Sequence, residues 1–174
     1  TGAPLFVGAG LVPQLLRRSA CTALADRWGL ELIHISEGES PQETLSKPSA
    51  QQGLIRFCGD VARQRPEGGC WLDALADWRQ PLVLMVAGEA GGGVAGAAAA
   101  YAALCHQLGA PLIGLVQIGS QWNRLQRRRD GLPWMGWIPA AGVPERELAL
   151  DHLVQVLSRR SITAAATGVG AHRP

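Results

Sequence analysis

Lysine is almost absent from this 174-residue chain: of its sixteen basic side chains, Lys47 is the sole lysine and the rest are arginines. The pattern GxxxxGK[ST] does not occur, so no glycine loop can set an ammonium against the β- and γ-phosphates of a nucleotide in the usual way. Ordinary P-loop catalysis is thereby excluded. Cysteine is sparse and badly spaced for metal. Cys21, Cys58, Cys70 and Cys105 include no CxxC pair, and none stands in a zinc pattern with a histidine, Cys105-His106 being a lone adjacent pair. A chain of this length buries roughly two thirds of its unfolded surface and has little need of a staple, so these are read as reduced, mostly buried thiols. Nucleophile-elbow and paired-carboxylate motifs are missing, and spacing alone assembles no Ser–His–Asp set. No apolar stretch approaches the roughly eighteen residues of a membrane span, and no basic segment followed by an apolar run opens the chain. The expectation is a cytoplasmic protein with no membrane partner. A net charge of +2 is too small to argue for nucleic acid.

What the chain does have is a covered core in the making, with 47% apolar against 17% charged residues. Five apolar stretches read as strands: Pro4–Val7, Glu31–Ile35, Pro81–Val86, Pro111–Gln117 and Trp134–Ile138. Three of them (LVLMV, LIGLV, WMGWI) are nearly unbroken rather than alternating, the pattern of parallel strands covered on both faces. The intervening segments carry helical spacing. Val12–Trp28 sets Leu15, Leu16, Ser19, Ala20, Ala23, Leu24 and Arg27 three and four apart, with Gly29 as a stop. Gly96–Leu108 is an alanine-dense helix ended by Gly109, and Ser120–Arg129 and Glu145–Arg160 supply two more. Between Ser36 and Gln80 the pattern is less regular. Glu37–Gln52 reads as a long loop, and Leu54–Arg65 and Trp71–Arg79 as helices split by a turn at Pro66–Gly69. Alternating strands and helices indicate βαβ units. The expected fold is α/β, three-layered, with a mostly parallel sheet of about five strands between helices, as one domain over 1–160. Residues 161–174, which lack apolar periodicity, are expected to form a flexible tail.

In such a sheet, ligands sit outside the carboxyl ends of the strands. Glycine gathers at those ends here: Gly8-Ala9-Gly10, Gly88 with Glu89, Gly91, Gly92 and Gly93, and Gly119-Ser120. Without a Cβ the backbone can approach a ligand and aim amides at an anion, which a helix N-terminus just after the turn also favours. The same small residues also let a helix pack closely on a sheet, and both readings stand. Leu11-Val12-Pro13 puts apolar side chains where a phosphate after Gly8-Ala9-Gly10 would lie. Glu37, Glu39 and Glu89 could hold a metal or a ribose hydroxyl, or simply be solvated. His34 falls within a strand and is expected on a covered face as a structural histidine. The run Arg127-Arg128-Arg129-Asp130 could grip an anionic partner or be an ordinary charged helix end.

The stretch from Trp71 to Ala141 resembles the C-terminal half of the dethiobiotin synthetase and cobyrinate amidase-type synthetases, relatives of the MinD/ParA-like P-loop proteins. The resemblance lies in ALADWRQPLVLMVAGEAGG leading into a small-residue loop, in GAPLIGLVQIGS, and in the ending GLPWMGWIPA. It implies a nucleotide such as ATP, with the base received at Gln117–Ser120 and Pro139–Ala141. The chain departs from the family in three ways. VGAGLVP stands where the phosphate loop should fall, Gln117-Ile118 replaces an asparagine, and no acidic strand-end motif for magnesium is found. The resemblance and these departures together imply a degenerate nucleotide site in an accessory or regulatory pseudo-NTPase, with a protein partner or a homodimer. An ATP-dependent synthetase with a non-standard loop is the alternative. Two other segments point elsewhere. PLVLMVAGEAGGGVAGAAAAYAALCHQLGAPLIGLV also looks like a Rossmann unit, and APLFVGAGLVPQLLRRSACTALADRWGLELIHI is similar to the middle domain of thiamine diphosphate enzymes.

Overall fold

The computed structural model describes residues 4–47 and 52–168, with side chains through Arg160. Six strands form one all-parallel sheet: β1 (Leu5–Gly8), β2 (Leu32–Ser36), β3 (Leu54–Cys58), β4 (Leu82–Ala87), β5 (Leu112–Ile118) and β6 (Trp134–Ile138). The helices are α1 (Gln14–Trp28), α2 (Pro41–Leu45), α3 (Trp71–Asp77), α4 (Ala97–Leu108), α5 (Arg124–Arg129) and α6 (Arg146–Gly168). The α/β, parallel-sheet reading is therefore correct, with six strands instead of five. Gly29 and Gly109 both take left-handed backbone and end α1 and α4 where expected.

The strands lie in the order β2-β3-β1-β4-β5-β6. From β1 the chain moves one way along the sheet, to β2, while from β3 and β4 it moves the other way. Right-handed crossovers then put α1 on one face and α3 and α4 on the opposite face. The two cores reflect that division. On one side Leu5, Val7, Ile55, Phe57, Leu82 and Leu84 pack with Trp71, Leu72, Leu75 and Cys105. On the other, Phe6, Leu54, Val83, Met85 and Val116 pack with Cys21 and Leu24 of α1 and Leu150, Leu153 and Leu157 of α6. Trp71 is 1% exposed and meets Phe57 edge-on at 5.1 Å. Each large apolar side chain so enclosed contributes roughly 1.5–3 kcal/mol.

The segment expected to be a helix over Leu54–Arg65 is instead strand β3 and the turns after it. Leu54, Ile55 and Phe57 are all fully buried, divided between the two helical layers, and Gly59 breaks the chain at once. A five-residue run with four apolar side chains around Arg56 fits either element locally, and pairing on both sides with β2 and β1 decides for the strand. The long loop expected over Glu37–Gln52 contains α2, begun by Ser40, whose hydroxyl accepts from the Glu43 amide, and by Pro41 in the first turn. Helix α6 continues to Gly168, past the expected end at Arg160; residues 169–174 of the expected tail lie outside the described residues. His34 is exposed, not covered, because β2 is an edge strand. The cysteines are free, with Cys21, Cys70 and Cys105 buried and Cys58 half-buried. Among the described residues no helix is long and apolar enough to cross a membrane.

Candidate functional site

The connections leaving β1 and β4 diverge, so the carboxyl ends of these neighbouring strands flank the point where such sheets place a ligand. The ten glycine-loop residues fall into three groups, of which only the first lies at the end of β1. Gly8 and Gly10 lie at the end of β1, fastened to β4 by the Ala9 amide donating to the Met85 carbonyl at 2.9 Å. Gly88, Gln117, Gly119 and Ser120 form a knot across β4 and β5. The Gly88 amide donates to Ile118 O at 3.0 Å, and the Ser120 hydroxyl donates to Gly88 O at 2.9 Å. Gln117, fully buried, donates through Nε2 to Gly119 O and Gln121 O, while its Oε1 has no partner. A side chain at Gly88 would stand 2.6 Å from that Nε2. Trp137 closes the knot by donating to Gly119 O and Ser120 O.

Glu89, Gly91, Gly92 and Gly93 form the third group and arch away toward α5. The Glu89 amide donates to Gly93 O at 2.9 Å and the Gly92 amide to Glu89 O at 3.1 Å. Together with Gly88, three amides of this loop are thus spent on the loop and its flanking strand, and an anion cannot have them. Arg127 fastens the arch by donating to Gly92 O at 3.0 Å, with its guanidinium 4.9 Å from the Trp134 ring and paired with Asp130 at 3.5 Å. The charged run at 127–130 therefore contains one buried clamp, Arg127, beside exposed Arg128 and Arg129.

The turn after β1 is different in kind. Gly10 has φ +74, and a Cβ there would lie 2.6 Å from the Cβ of Ala97 at the start of α4. Only glycine meets both conditions. Helix α1 then begins after Pro13 without a side-chain cap, which leaves its first-turn amides to solvent or a ligand. Leu11 is fully exposed beside them. Arg17 reaches back from α1 across Gly8, its Nη1 3.0 Å from where a Cβ would be, and donates to Phe57 O at 3.4 Å.

Several groups here are hidden from a reading of the sequence that makes Leu54–Arg65 a helix. Past the end of β3, Asp60 accepts from the Tyr101 hydroxyl at 2.7 Å and from the Ala62 amide at 3.0 Å. Burial, then the hydrogen bond to Asp60 and its charge, push the Tyr101 phenol up to about 12, against a smaller opposing effect of a hydrogen bond from the Gly10 backbone. Tyr101 thus ties the turn after β1 to the turn after β3. Glu37 completes the row: its carboxylate accepts from the Asp60 amide and from Arg63, both at 2.7 Å, and its carbonyl accepts from Trp71 Nε1. Glu37, Asp60, Arg63 and Trp71 line a cavity of about 160 Å³ past the ends of β2 and β3. Glu39 is occupied locally, accepting from the Ser36 amide and the Thr44 hydroxyl. The signal that could have found this row is LIRFC before Gly59-Asp60, a run of strand length that stops at a turn. Among the described residues no three His, Cys, Asp or Glu side chains are grouped to hold a metal. No protein-family model matches this chain and no curated protein matches it in sequence, so the chemistry of these strand ends carries the functional reading.

Proposed function

We propose that the chain is a nucleotide-binding-type α/β domain with a degenerate phosphate loop, acting as an accessory or regulatory pseudo-NTPase related to the dethiobiotin synthetase-like proteins. One observation carries the reading: the glycine turn leaving β1 opens directly into an uncapped helix, beside a strand, β3, that ends in an acidic turn at Asp60. That is the arrangement a phosphate chain and its counter-ion call for. The loss of catalysis is explained by the missing lysine, by exposed Leu11 at the turn, and by the amides that the 88–93 loop keeps for itself. The exposed apolar side chains Leu11 and Leu15 suit a domain that works against a protein partner or a second copy.

The synthetase alternative draws support from Asp60, a carboxylate one hydrogen bond from Tyr101 and so close to Gly10. The Rossmann and thiamine-enzyme readings lose ground, because β3 separates β2 from β1 where a dinucleotide fold has those strands adjacent. Thermal-shift measurements with ATP, GDP, NAD and flavin, with and without magnesium, separate the cases. A ligand at 100 times its dissociation constant adds about 2.7 kcal/mol to stability. The pseudo-NTPase reading expects a shift with ATP or GDP and no turnover. Magnesium-dependent ATP binding that Asp60→Asn abolishes, accompanied by ATP consumption, establishes the synthetase instead. No shift with any nucleotide refutes both.

A further inference from the structure

On the α1 side of the sheet, three positively charged groups and an imidazole crowd together with no carboxylate paired to them among the described residues. His34 of β2, Arg56 of β3 and Phe6 of β1 stand in register across the sheet, and Arg56 shares the α1 face with Leu54 and Phe6. Arg56 is 5% exposed. Its Nε donates to His34 Nδ1 at 3.1 Å, a neutral acceptor, and its Nη1 has no partner. Arg17 arrives from α1 next to it, donating through Nη1 to the carbonyl of the next residue in β3, Phe57, while its buried Nε is also unpartnered. The charges that act on the buried Cys21 thiol come from Arg56 and Arg17, opposed by Cys58, and those acting on His34 come from Arg56 and Arg18. Arg127 makes the contrast plain: it is similarly buried but has Asp130 beside it.

A guanidinium taken out of water without a counter-charge is strongly unfavourable, and a second one nearby makes it worse. Arginine's planar fork matches a phosphoryl or carboxylate group, and donors to such groups make the strongest hydrogen bonds. We propose that Arg17, Arg56 and His34, with Arg18 at the rim, form a binding site for a phosphate-sized oxyanion between α1 and the β2–β3 edge of the sheet. The oxyanion enters past exposed His34 and Arg18, and accepts from Arg56 Nη1 and Arg17 Nε. Arg17 also crosses Gly8, so the site adjoins the turn after β1, but Arg56 and His34 lie along the β2–β3 edge away from the glycine turns, and the site stands without the nucleotide reading. Free phosphate and the phosphoryl group of a nucleotide share its chemistry.

The test is thermal denaturation of the intact protein at low ionic strength with inorganic phosphate, sodium chloride of equal ionic strength as the reference, and ADP as a separate arm. Phosphate at 100 times its dissociation constant raises the melting temperature by about 5–10 °C. Arg56→Met and Arg17→Gln each weaken phosphate binding at least tenfold, and Arg128→Gln does not. With phosphate binding lost in Arg56→Met, an ADP shift lost along with it identifies the nucleotide as the source of the phosphoryl group, whereas an ADP shift retained there, or absent from the unmodified protein, identifies free phosphate as the ligand. Should Arg56→Met fail to fold, the imidazole resonances of His34 in the unmodified protein still report, and they move as phosphate is added. A phosphate effect no larger than that of chloride, His34 resonances that stay still, or variants that bind phosphate as the unmodified protein does, overturn the proposal.

Discussion

Replacing Gly10 by alanine tests the closest approach in the candidate site, and the structure allows the magnitude to be built in parts. At φ +74 an alanine pays about 1–2 kcal/mol for left-handed backbone. About 0.4–1 kcal/mol returns through the stiffer unfolded chain. Those terms alone leave a net loss of about 1 kcal/mol. The same sum applies to Gly91→Ala, since Gly91 has φ +83 and open space around its Cβ position. At Gly10 the new methyl also falls 2.6 Å from the Cβ of Ala97, a contact no rotamer change can relieve. Overpacking of that kind adds about 1–3 kcal/mol, so Gly10→Ala is expected to cost about 2–4 kcal/mol. Urea unfolding measures both variants, read as midpoint shifts at unchanged slope. Ala97→Gly removes the opposing methyl at a cost of about 0.5–1 kcal/mol and is expected to recover most of the overlap share in the double variant. Equal losses for Gly10→Ala and Gly91→Ala, or no coupling between positions 10 and 97, would show that the β1 turn does not rest on α4. The site geometry would then be wrong.

Three further outcomes rest on named contacts. Partial desolvation, then the charges of Arg56 and Arg18, hold the exposed His34 imidazole below its ordinary range. The folded state therefore binds fewer protons than the unfolded chain, and the contribution of His34 to stability is present above about pH 6.5 and fades as pH falls toward its lowered folded value. A proton NMR titration checks this, and Arg56→Met should move the midpoint up. Burial pushes the Cys21 thiol up to about 12 and Cys105 to about 11, and raises Cys70 as well. A thiol-reactive dye at pH 8 is accordingly expected to label half-buried Cys58 in the folded protein and the other three only after denaturation. Arg127→Met leaves Gly92 O and Asp130 without their clamp. It should destabilise the protein by about 1–3 kcal/mol and alter the fluorescence of Trp134, and an unchanged unfolding midpoint would count against the clamp.

How much of the site is legible without coordinates depends on the residue. Gly8, Gly10, Gly88, Gly119 and Ser120 are legible because turns at the carboxyl ends of covered strands are visible in a linear pattern. Gln117 falls at a strand end in the sequence, but its burial beneath Gly88 and its unpartnered Oε1 depend on a neighbouring strand. Gly88–Gly93 has the composition of an anion loop, yet whether its amides face a ligand or each other depends on an antiparallel bridge between Gly88 and Val94. Asp60, Tyr101 and Arg56 stay out of sight for one reason. The five residues of β3 satisfy a helical spacing as readily as a strand, and reading them as helix hides everything that strand aligns.

The sequence by itself determined the class of the fold. Unbroken aliphatic runs such as LVLMV and LIGLV, separated by amphipathic segments with glycine stops, admit few arrangements other than parallel strands covered by helices, because both faces of each run must leave water. Tertiary structure alone decided that β3 lies between β2 and β1. That placement brings Asp60 to Tyr101 and Gly10, sets Arg56 beside His34, and carries Arg17 over Gly8. Periodicity records which faces a segment buries, whereas strand order is settled by contacts between segments far apart in the chain, and those contacts hold the chemistry.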